Sequence, residues 1–240
     1  MICKDSLAAI RCRHLLTRLI SLALSAGLAF SAAALPGVID RQYGPVQGEP
    51  FPVPAPNLSK LNPVYLRTVV RFDTAEAPGT IMIDPAHHFL YLVQEGGRAI
   101  RYGVGVGRQG FAWSGTATIR GKQEWPDWYP PKEMLQRQPQ LLKEMETLKS
   151  GIGMPGGPRN PLGARALYLW QGNKDTLYRI HGTFEPWTIG TNASSGCIRM
   201  INQDVIDLYE RVPLGAKVIV LSTGPESPAA VERSTRRNLM

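Results

Sequence analysis

The sequence is poor in cysteine. Only three occur among 240 residues, at positions 3, 12 and 197. The first two precede the apolar run that begins at residue 19, so a chain cleaved after that run keeps Cys197 alone and cannot close an internal disulfide. A lone thiol in an oxidising compartment is open to oxidation. Cys197 is therefore either a buried, inert side chain or a reactive nucleophile.

Long apolar runs are also scarce. The longest, LISLALSAGLAF over residues 19–30, falls short of the roughly 20 residues that a membrane-spanning helix needs. Basic residues precede it and the small residues of SAAALPG follow it, which is the layout of a secretory signal peptide. We expect residues 1–34 to be that peptide, with retention as an anchor as the alternative. The protein is then exported to the periplasm or cell wall and meets the membrane only transiently.

Blocks of like charge are absent. The formal net charge is +8, yet the Lys and Arg residues are scattered singly along the chain. A basic block of the kind that binds nucleic acid is therefore missing, and we expect no nucleic-acid partner. The positive balance favours an acidic polymer or an acidic environment.

The rest of the chain divides by composition. Seven prolines over residues 35–63 predict an extended spacer over 35–64, or else a strap lying along the following domain. Residues 65–222 alternate short β-type runs with turn residues, including a hairpin signal in FLYLVQEGGRAIRYGV. The polar stretch 223–240 is expected to be a frayed tail. No internal repeat is present.

Two regions have helical patterns. Prolines 131 and 139 open apolar-periodic stretches that end near Gly151, which predicts a helical insertion over the sheet. The stretch NQDVIDLYERV predicts a helix that Asn202 caps. The alternating GVGVG at 103–107 lacks the context of a phosphate-binding loop. The prediction is one mainly β domain with one or two short helices.

The stretch HGTFEPWTIGTNASSGCIR contains the candidate chemistry. His181 ends a predicted strand, Gly196 allows close approach of the backbone to a substrate, and Arg199 shares a face with Cys197 if that segment is extended. A base, amide donors and a cation are what an activated thiol requires. Alternatively, Cys197 is buried in the lead-in to a helix, His181 is a core histidine and Arg199 is solvated.

A metal centre is not expected. One cysteine and one or two histidines without an acidic ligand at suitable spacing do not make a zinc site. His87 and His88 follow Pro85 in a strand connection and are expected at the surface.

IHGTFEPWTIGTNASSGCIRMINQDV resembles the signature of the L,D-transpeptidases of the ErfK/YbiS type, which have a YkuD-type catalytic domain. Its pattern is His-Gly-Thr, Ile-Gly, and Ser-x-Gly-Cys followed by Ile or Val and Arg. NPLGARALYL and TIMIDPAHHFLYLV also resemble stretches of that family, so the likeness covers about residues 77–222. It implies a β-sandwich of mixed sheets with a small helical part, in an exported enzyme of the bacterial cell wall.

The resemblance also implies roles for individual residues. Cys197 would be the nucleophile and His181 the general base, with the backbone of Gly182 orienting the imidazole. The N–H groups around Ser195, Gly196 and Cys197 would form the oxyanion site. At the substrate we further place Arg199, Ser194 and Trp187. Many members have histidine where Ser195 stands here, which leaves His181 as the only imidazole in the motif.

The implied reaction is a peptide exchange on peptidoglycan stems. Cys197 would release D-Ala from a tetrapeptide stem through a thioester, which a second stem resolves into a 3→3 cross-link. The acceptor is alternatively an outer-membrane protein, a D-amino acid or water. No metal or organic cofactor is required.

Three rival interpretations stay open. A sortase-like enzyme separates His and Cys by far more residues, and a papain-like hydrolase places Cys before His. The third is a catalytically silent peptidoglycan-binding module.

Overall fold

The computed structural model describes residues 41–107, 113–192 and 196–222. The predicted signal peptide, the start of the spacer at 35–40 and the polar tail lie outside these residues and stay predictions. The described residues form eleven strands: β1 (Thr68–Arg71), β2 (Ile81–Asp84), β3 (Phe89–Gln94), β4 (Arg98–Gly103), β5 (Gly115–Glu124), β6 (Glu146–Leu148), β7 (Gly151–Gly153), β8 (Arg165–Gln171), β9 (Lys174–His181), β10 (Ile198–Arg199) and β11 (Lys217–Val220). Two α-helices accompany them, α1 (Lys132–Arg137) and α2 (Asn202–Arg211).

Nine strands form one mixed sheet in the order β1-β4-β3-β2-β11-β5-β8-β9-β10. The β2/β11 and β9/β10 pairs are parallel and the others antiparallel. The hairpin predicted around the Gly-Gly turn is β3–β4, and each β-type run of the sequence supplies a strand. The predicted mainly β fold with mixed sheets and few short helices is confirmed.

The residues that follow β4 connect the two end regions of this sheet. Gly105 donates its N–H to the Arg199 carbonyl at 2.9 Å and accepts the Arg199 N–H at 2.8 Å. Strand β10, which ends the sheet order, is therefore tied to the continuation of β4, near its other end. The main core fills the space between, with fully buried side chains from strands across the sheet and from α2, among them Ile81, Leu90, Ile119, Leu169, Ile180 and Leu208.

Residues 41–66, here named the strap, lie along the domain. This agrees with the second of the two predictions for the proline-rich segment, a strap instead of a free spacer. Tyr43, Val53 and Leu61 are buried. Glu49 accepts two hydrogen bonds from the Arg165 guanidinium, at 2.5 and 2.8 Å, and both side chains are less than a tenth exposed. The strap thus contributes apolar burial and a buried ion pair to a domain that the sequence pattern begins at residue 65.

The helix expected from Pro139 to Gly151 does not form. The chain there makes a 3-10 turn (Pro139–Glu144) and then the β6–β7 hairpin. None of the apolar residues of this stretch is buried: Leu142 is 47% exposed, and Leu141, Met145 and Leu148 are half-buried. An amphipathic helix gains most of its stability from packing that stripe, so the local preference for a helix is not realised.

Helix α2 forms as predicted, but its start differs. Ile201 occupies the cap position and Asn202 is the first helical residue. The Asn202 side chain accepts the N–H of Ala164 at 3.0 Å, so it joins the helix to the segment before β8 instead of capping it.

Candidate active site

The parallel pair β9/β10 brings the predicted site residues together. Ile198 lies opposite Ile180, and Arg199 lies opposite His181. Both isoleucines are buried in the core. Because side chains alternate along a strand, His181 and Arg199 project from the opposite face. Cys197 directly precedes Ile198, just outside the strand, and the charges of Arg179 and Arg199 act on its thiol.

His181 is buried, with 4% of its surface exposed. Its Nδ1 lies 2.6 Å from the carbonyl oxygen of Gly182. Since a carbonyl only accepts, Nδ1 carries the proton, and Nε2 is the basic nitrogen of the neutral ring. Burial, together with the charges of Arg199 and Arg179, lowers the pKa of His181 from 6.5 to about 4, against the opposing effect of backbone hydrogen bonds to Gly182 and Leu162. At neutral pH the imidazole is therefore uncharged and able to accept a proton.

Gly182 is required by close packing. A Cβ atom there would collide with the side-chain oxygen of Asn202 and approach a methyl group of Val205 to 3.1 Å. Helix α2 thus packs directly against the residue whose carbonyl orients the imidazole. The backbone contact expected from the family likeness is present; its catalytic role stays a prediction.

Cys197 is half-buried. Its Sγ lies 4.0 Å from the carbonyl oxygen of Leu177. Desolvation raises the pKa of the thiol, while a backbone N–H of Arg179 and the charges of Arg179 and Arg199 lower it in part. At neutral pH both the thiol and the imidazole are therefore uncharged.

The remaining predicted residues are placed less completely. Gly196 has φ +131°, a conformation that favours glycine. Trp187 lies in a 3-10 turn (Pro186–Thr188) with 53% of its surface exposed. Ser194 and Ser195 lie outside the described residues, so their assignment stays a prediction.

Two charged residues that the sequence reasoning missed contact the site. Arg179 makes two hydrogen bonds to Asp175, at 2.7 and 2.8 Å, and stacks over the Tyr168 ring. Glu185 lies 3.3 Å from the Arg199 guanidinium. Strand alternation in TLYRIHG places Arg179 on the side of His181, which was a usable signal. Glu185 reaches the site through a loop, and no sequence pattern indicated its position.

His87 and His88 are not simple surface residues. Both are half-buried. The Nδ1 of His87 contacts the buried Asp84 at 2.6 Å, and the Nε2 of His88 contacts Asn192 at 3.0 Å. Hydrogen bonding fixes both rings within the β2–β3 connection. Across the described ranges, no group of three or more His, Cys, Asp or Glu residues is placed to hold a metal ion. None of the helices described is long and apolar enough to cross a membrane.

A family model for the YkuD domain, the L,D-transpeptidase catalytic domain, matches residues 78–220, more than half of the chain. The chain belongs to the YkuD family. The membership predicted from the cysteine motif is thereby confirmed, and residues 181, 197 and 199 lie within the YkuD domain.

Two curated relatives come from Escherichia coli (strain K12). The chain is 32% identical to the probable L,D-transpeptidase ErfK/SrfK over 146 residues, which is 59% of this chain and 43% of that protein. It is 34% identical to the probable L,D-transpeptidase YbiS over 143 residues, 58% of this chain and 43% of that protein. The chain thus matches less than half the length of these relatives.

Two solved structures are also similar. One, from Brucella melitensis, is described as a probable carnitine operon oxidoreductase; it is 55% identical and matches 69% of this chain and 99% of its own, with a TM-score of 0.45. The other is an L,D-transpeptidase from Mycobacterium smegmatis, 18% identical over 60% of this chain and 58% of its own, with a TM-score of 0.42. Both TM-scores are below 0.5, so no functional conclusion rests on either superposition.

Proposed function

We propose that the protein is an exported cysteine L,D-transpeptidase that acts on peptidoglycan stem peptides through a thioester on Cys197. The observation that carries this proposal is the β9/β10 register, which sets Arg199 opposite His181 in a YkuD domain, with Cys197 directly before the paired Ile198. The names of the curated relatives support the same reaction.

The protonation states favour attack by a neutral pair. As Sγ of Cys197 bonds to the carbonyl carbon between the third stem residue and D-Ala, Nε2 of His181 takes the thiol proton. The tetrahedral intermediate then breaks its carbon–nitrogen bond, and the imidazolium returns the proton to the leaving amine of D-Ala. A thioester between the stem and Cys197 remains.

An acceptor amine completes the exchange. It attacks the thioester carbonyl, gives its proton to His181, and expels the Cys197 sulfur, which regains a proton. If the amine belongs to the third residue of another stem, the product is a 3→3 cross-link. An outer-membrane protein, a D-amino acid or water are other acceptors that the same thioester would serve.

The positive charge of the site suits this substrate. Arg199 has 17% of its side chain exposed, and of the described side chains Glu185 alone forms an ion pair with it, at 3.3 Å. A stem carboxylate would make a shorter, charge-assisted contact with the guanidinium. The backbone N–H groups around Ser195, Gly196 and Cys197 are the proposed oxyanion donors.

We further propose where the protein acts in the cell and which segments of the chain have which role. Residues 1–34 direct export to the periplasm or cell wall and are then removed. Residues 35–64 precede the catalytic domain at 65–222, and 223–240 follow as a tail.

The direct test is incubation of the purified protein with tetrapeptide muropeptides, followed by mass spectrometry. Release of D-Ala with formation of stem dimers supports the proposal, whereas unchanged muropeptides contradict it. A protein that binds these muropeptides without changing them would be a silent binding module. Cleavage of a sorting peptide instead would identify a sortase-like enzyme.

A further inference from the structure

We propose that Leu177 is a specificity-determining residue, whose exposed side chain contacts the aliphatic carbons of the donor stem beside the amide that Cys197 attacks. This inference rests on the proposed function and names a residue of the same site.

Leu177 is the neighbour of the nucleophile in β9. Its carbonyl oxygen lies 4.0 Å from Sγ of Cys197. It sits where the β8/β9 register shifts, because Arg179 pairs with Tyr168 whereas Asp175 pairs with Trp170. The extra residues of β9 form a bulge, a device that re-aims side chains next to active sites.

The bulge holds Leu177 in a left-handed conformation, with φ +62°. Asp175 accepts the Leu177 N–H at 2.9 Å, and the Thr176 hydroxyl accepts the Tyr178 N–H at 3.2 Å. Arg179 in turn fixes Asp175. The conformation is thus set by neighbouring polar groups and not by the leucine side chain.

Leucine is an unfavourable residue for this conformation. Glycine adopts it without a steric penalty and asparagine tolerates it, whereas a larger apolar residue stores strain there. Strain of this kind concentrates at functional sites. Position 177 therefore has a side chain that disfavours the backbone conformation observed there.

The Leu177 side chain contributes little packing to the folded domain. Leu177 is 75% exposed, more than any other large hydrophobic residue that the structure describes. Its apolar surface lies in solvent, on a residue whose backbone carbonyl is 4.0 Å from the thiol sulfur, and a donor stem must lie close to that sulfur for its carbonyl to reach Sγ. The contact that uses this surface is therefore with the substrate, and its chemistry is aliphatic.

The test measures binding in a full-length Cys197→Ala background, which cannot be acylated. Isothermal titration with a disaccharide tetrapeptide gives Kd with leucine, asparagine or methionine at position 177. Burying part of a leucine side chain predicts about a tenfold rise in Kd for Leu177→Asn. Leu177→Met keeps an apolar side chain and should bind within about threefold of the parent, since such volume-conserving swaps cost little.

A matched control comes from Leu214, which is 61% exposed in the turn between α2 and β11. Leu214→Asn should leave Kd unchanged. The Tm of Leu177→Asn should equal or exceed that of the parent, because asparagine relieves the left-handed strain. A rise in Kd without a fall in Tm separates substrate contact from a structural role.

Other outcomes overturn the inference. If Kd for Leu177→Asn stays within twofold of the parent, or its Tm falls, Leu177 does not act through substrate contact. If the parent background binds the tetrapeptide but the protein with Cys197 releases no D-Ala, the proposed function fails while the leucine contact is still measured. Absence of binding to the parent overturns both.

Discussion

Arg199 lies directly opposite His181 in the parallel pair of β9 and β10. Two consecutive strands thus place a cation beside a buried imidazole. Burial, and to a smaller extent the charge of Arg199, disfavour the imidazolium. Consequently His181 is uncharged at neutral pH, as the proposed role of a base requires, and Arg199 is the cation proposed to bind a substrate carboxylate.

The neutral imidazole predicts the pH dependence of activity. His181 has a pKa of about 4, and kcat/KM reports ionisations of the free enzyme. We expect kcat/KM for D-Ala release to be level from about pH 5 to neutrality and to fall only near pH 4. Circular dichroism at each pH controls for unfolding. An acid limb near 6.5 would show that His181 is exposed or is not the base.

If a substrate carboxylate replaces Glu185 as the partner of Arg199, substitutions of these two residues should change KM in opposite directions. Glu185→Gln removes the carboxylate that pairs with Arg199, so KM for donors with a free stem carboxylate should fall severalfold. Arg199→Gln should raise that KM about tenfold or more, as loss of a charge-assisted hydrogen bond does. The control is a donor with an amidated carboxylate, whose KM should respond to neither variant. Equal effects on both donors would argue against carboxylate recognition.

The buried Asp204 predicts a pH-dependent stability difference. Burial raises its pKa from 3.8 to about 7, against the opposing charge of Arg67 and a hydrogen bond from Tyr43. The folded protein thus binds this proton more tightly than the unfolded chain, so the contribution to stability is present below pH 4 and is lost as the pH rises to 7.

Asp204→Asn removes this ionisation while keeping a similar side-chain volume. The free energy of unfolding of Asp204→Asn minus that of the parent should therefore increase from pH 4 to pH 7, as measured by urea denaturation. The opposite dependence of His181, which stabilises increasingly between pH 4 and 6.5, is common to both proteins and cancels. A constant difference would contradict the raised pKa.

The strap predicts a large loss of stability on breaking one ion pair. Glu49→Ala leaves the Arg165 guanidinium, 7% exposed, with only the exposed carboxylate of Glu124, 4.0 Å away. Removing one member of a buried pair costs about 3–5 kcal/mol. The control is Asp73→Ala, which breaks the exposed pair with Arg71 and should cost at most about 1 kcal/mol. Similar urea midpoints for the two variants would show that the strap is not clamped to the domain.

The sequence predicted those features that depend on local pattern. Alternation located the strands, and the stretch from His181 to Arg199 located the candidate site. The β3–β4 hairpin follows from β-type runs around a Gly-Gly turn. These signals succeed because short-range geometry fixes which side chains share a face.

Features that depend on tertiary partners were missed. The stretch after Pro139 has a helical stripe but no core to pack against. The Glu49–Arg165 pair joins residues 116 positions apart, a separation at which single residues give no signal. Glu185 reaches Arg199 only because a loop folds back after β9, and Asn202 prefers the Ala164 N–H to its own helix.

The thioester on Cys197 is the central claim, and trapping it is the most direct test. The full-length protein should be mixed with a tetrapeptide muropeptide, quenched in acid and analysed by intact and peptide mass spectrometry. The account predicts a covalent adduct equal to the donor minus D-Ala, located on Cys197 and absent from Cys197→Ala. An unmodified Cys197 in a protein that releases D-Ala, or release of D-Ala by Cys197→Ala, would contradict it.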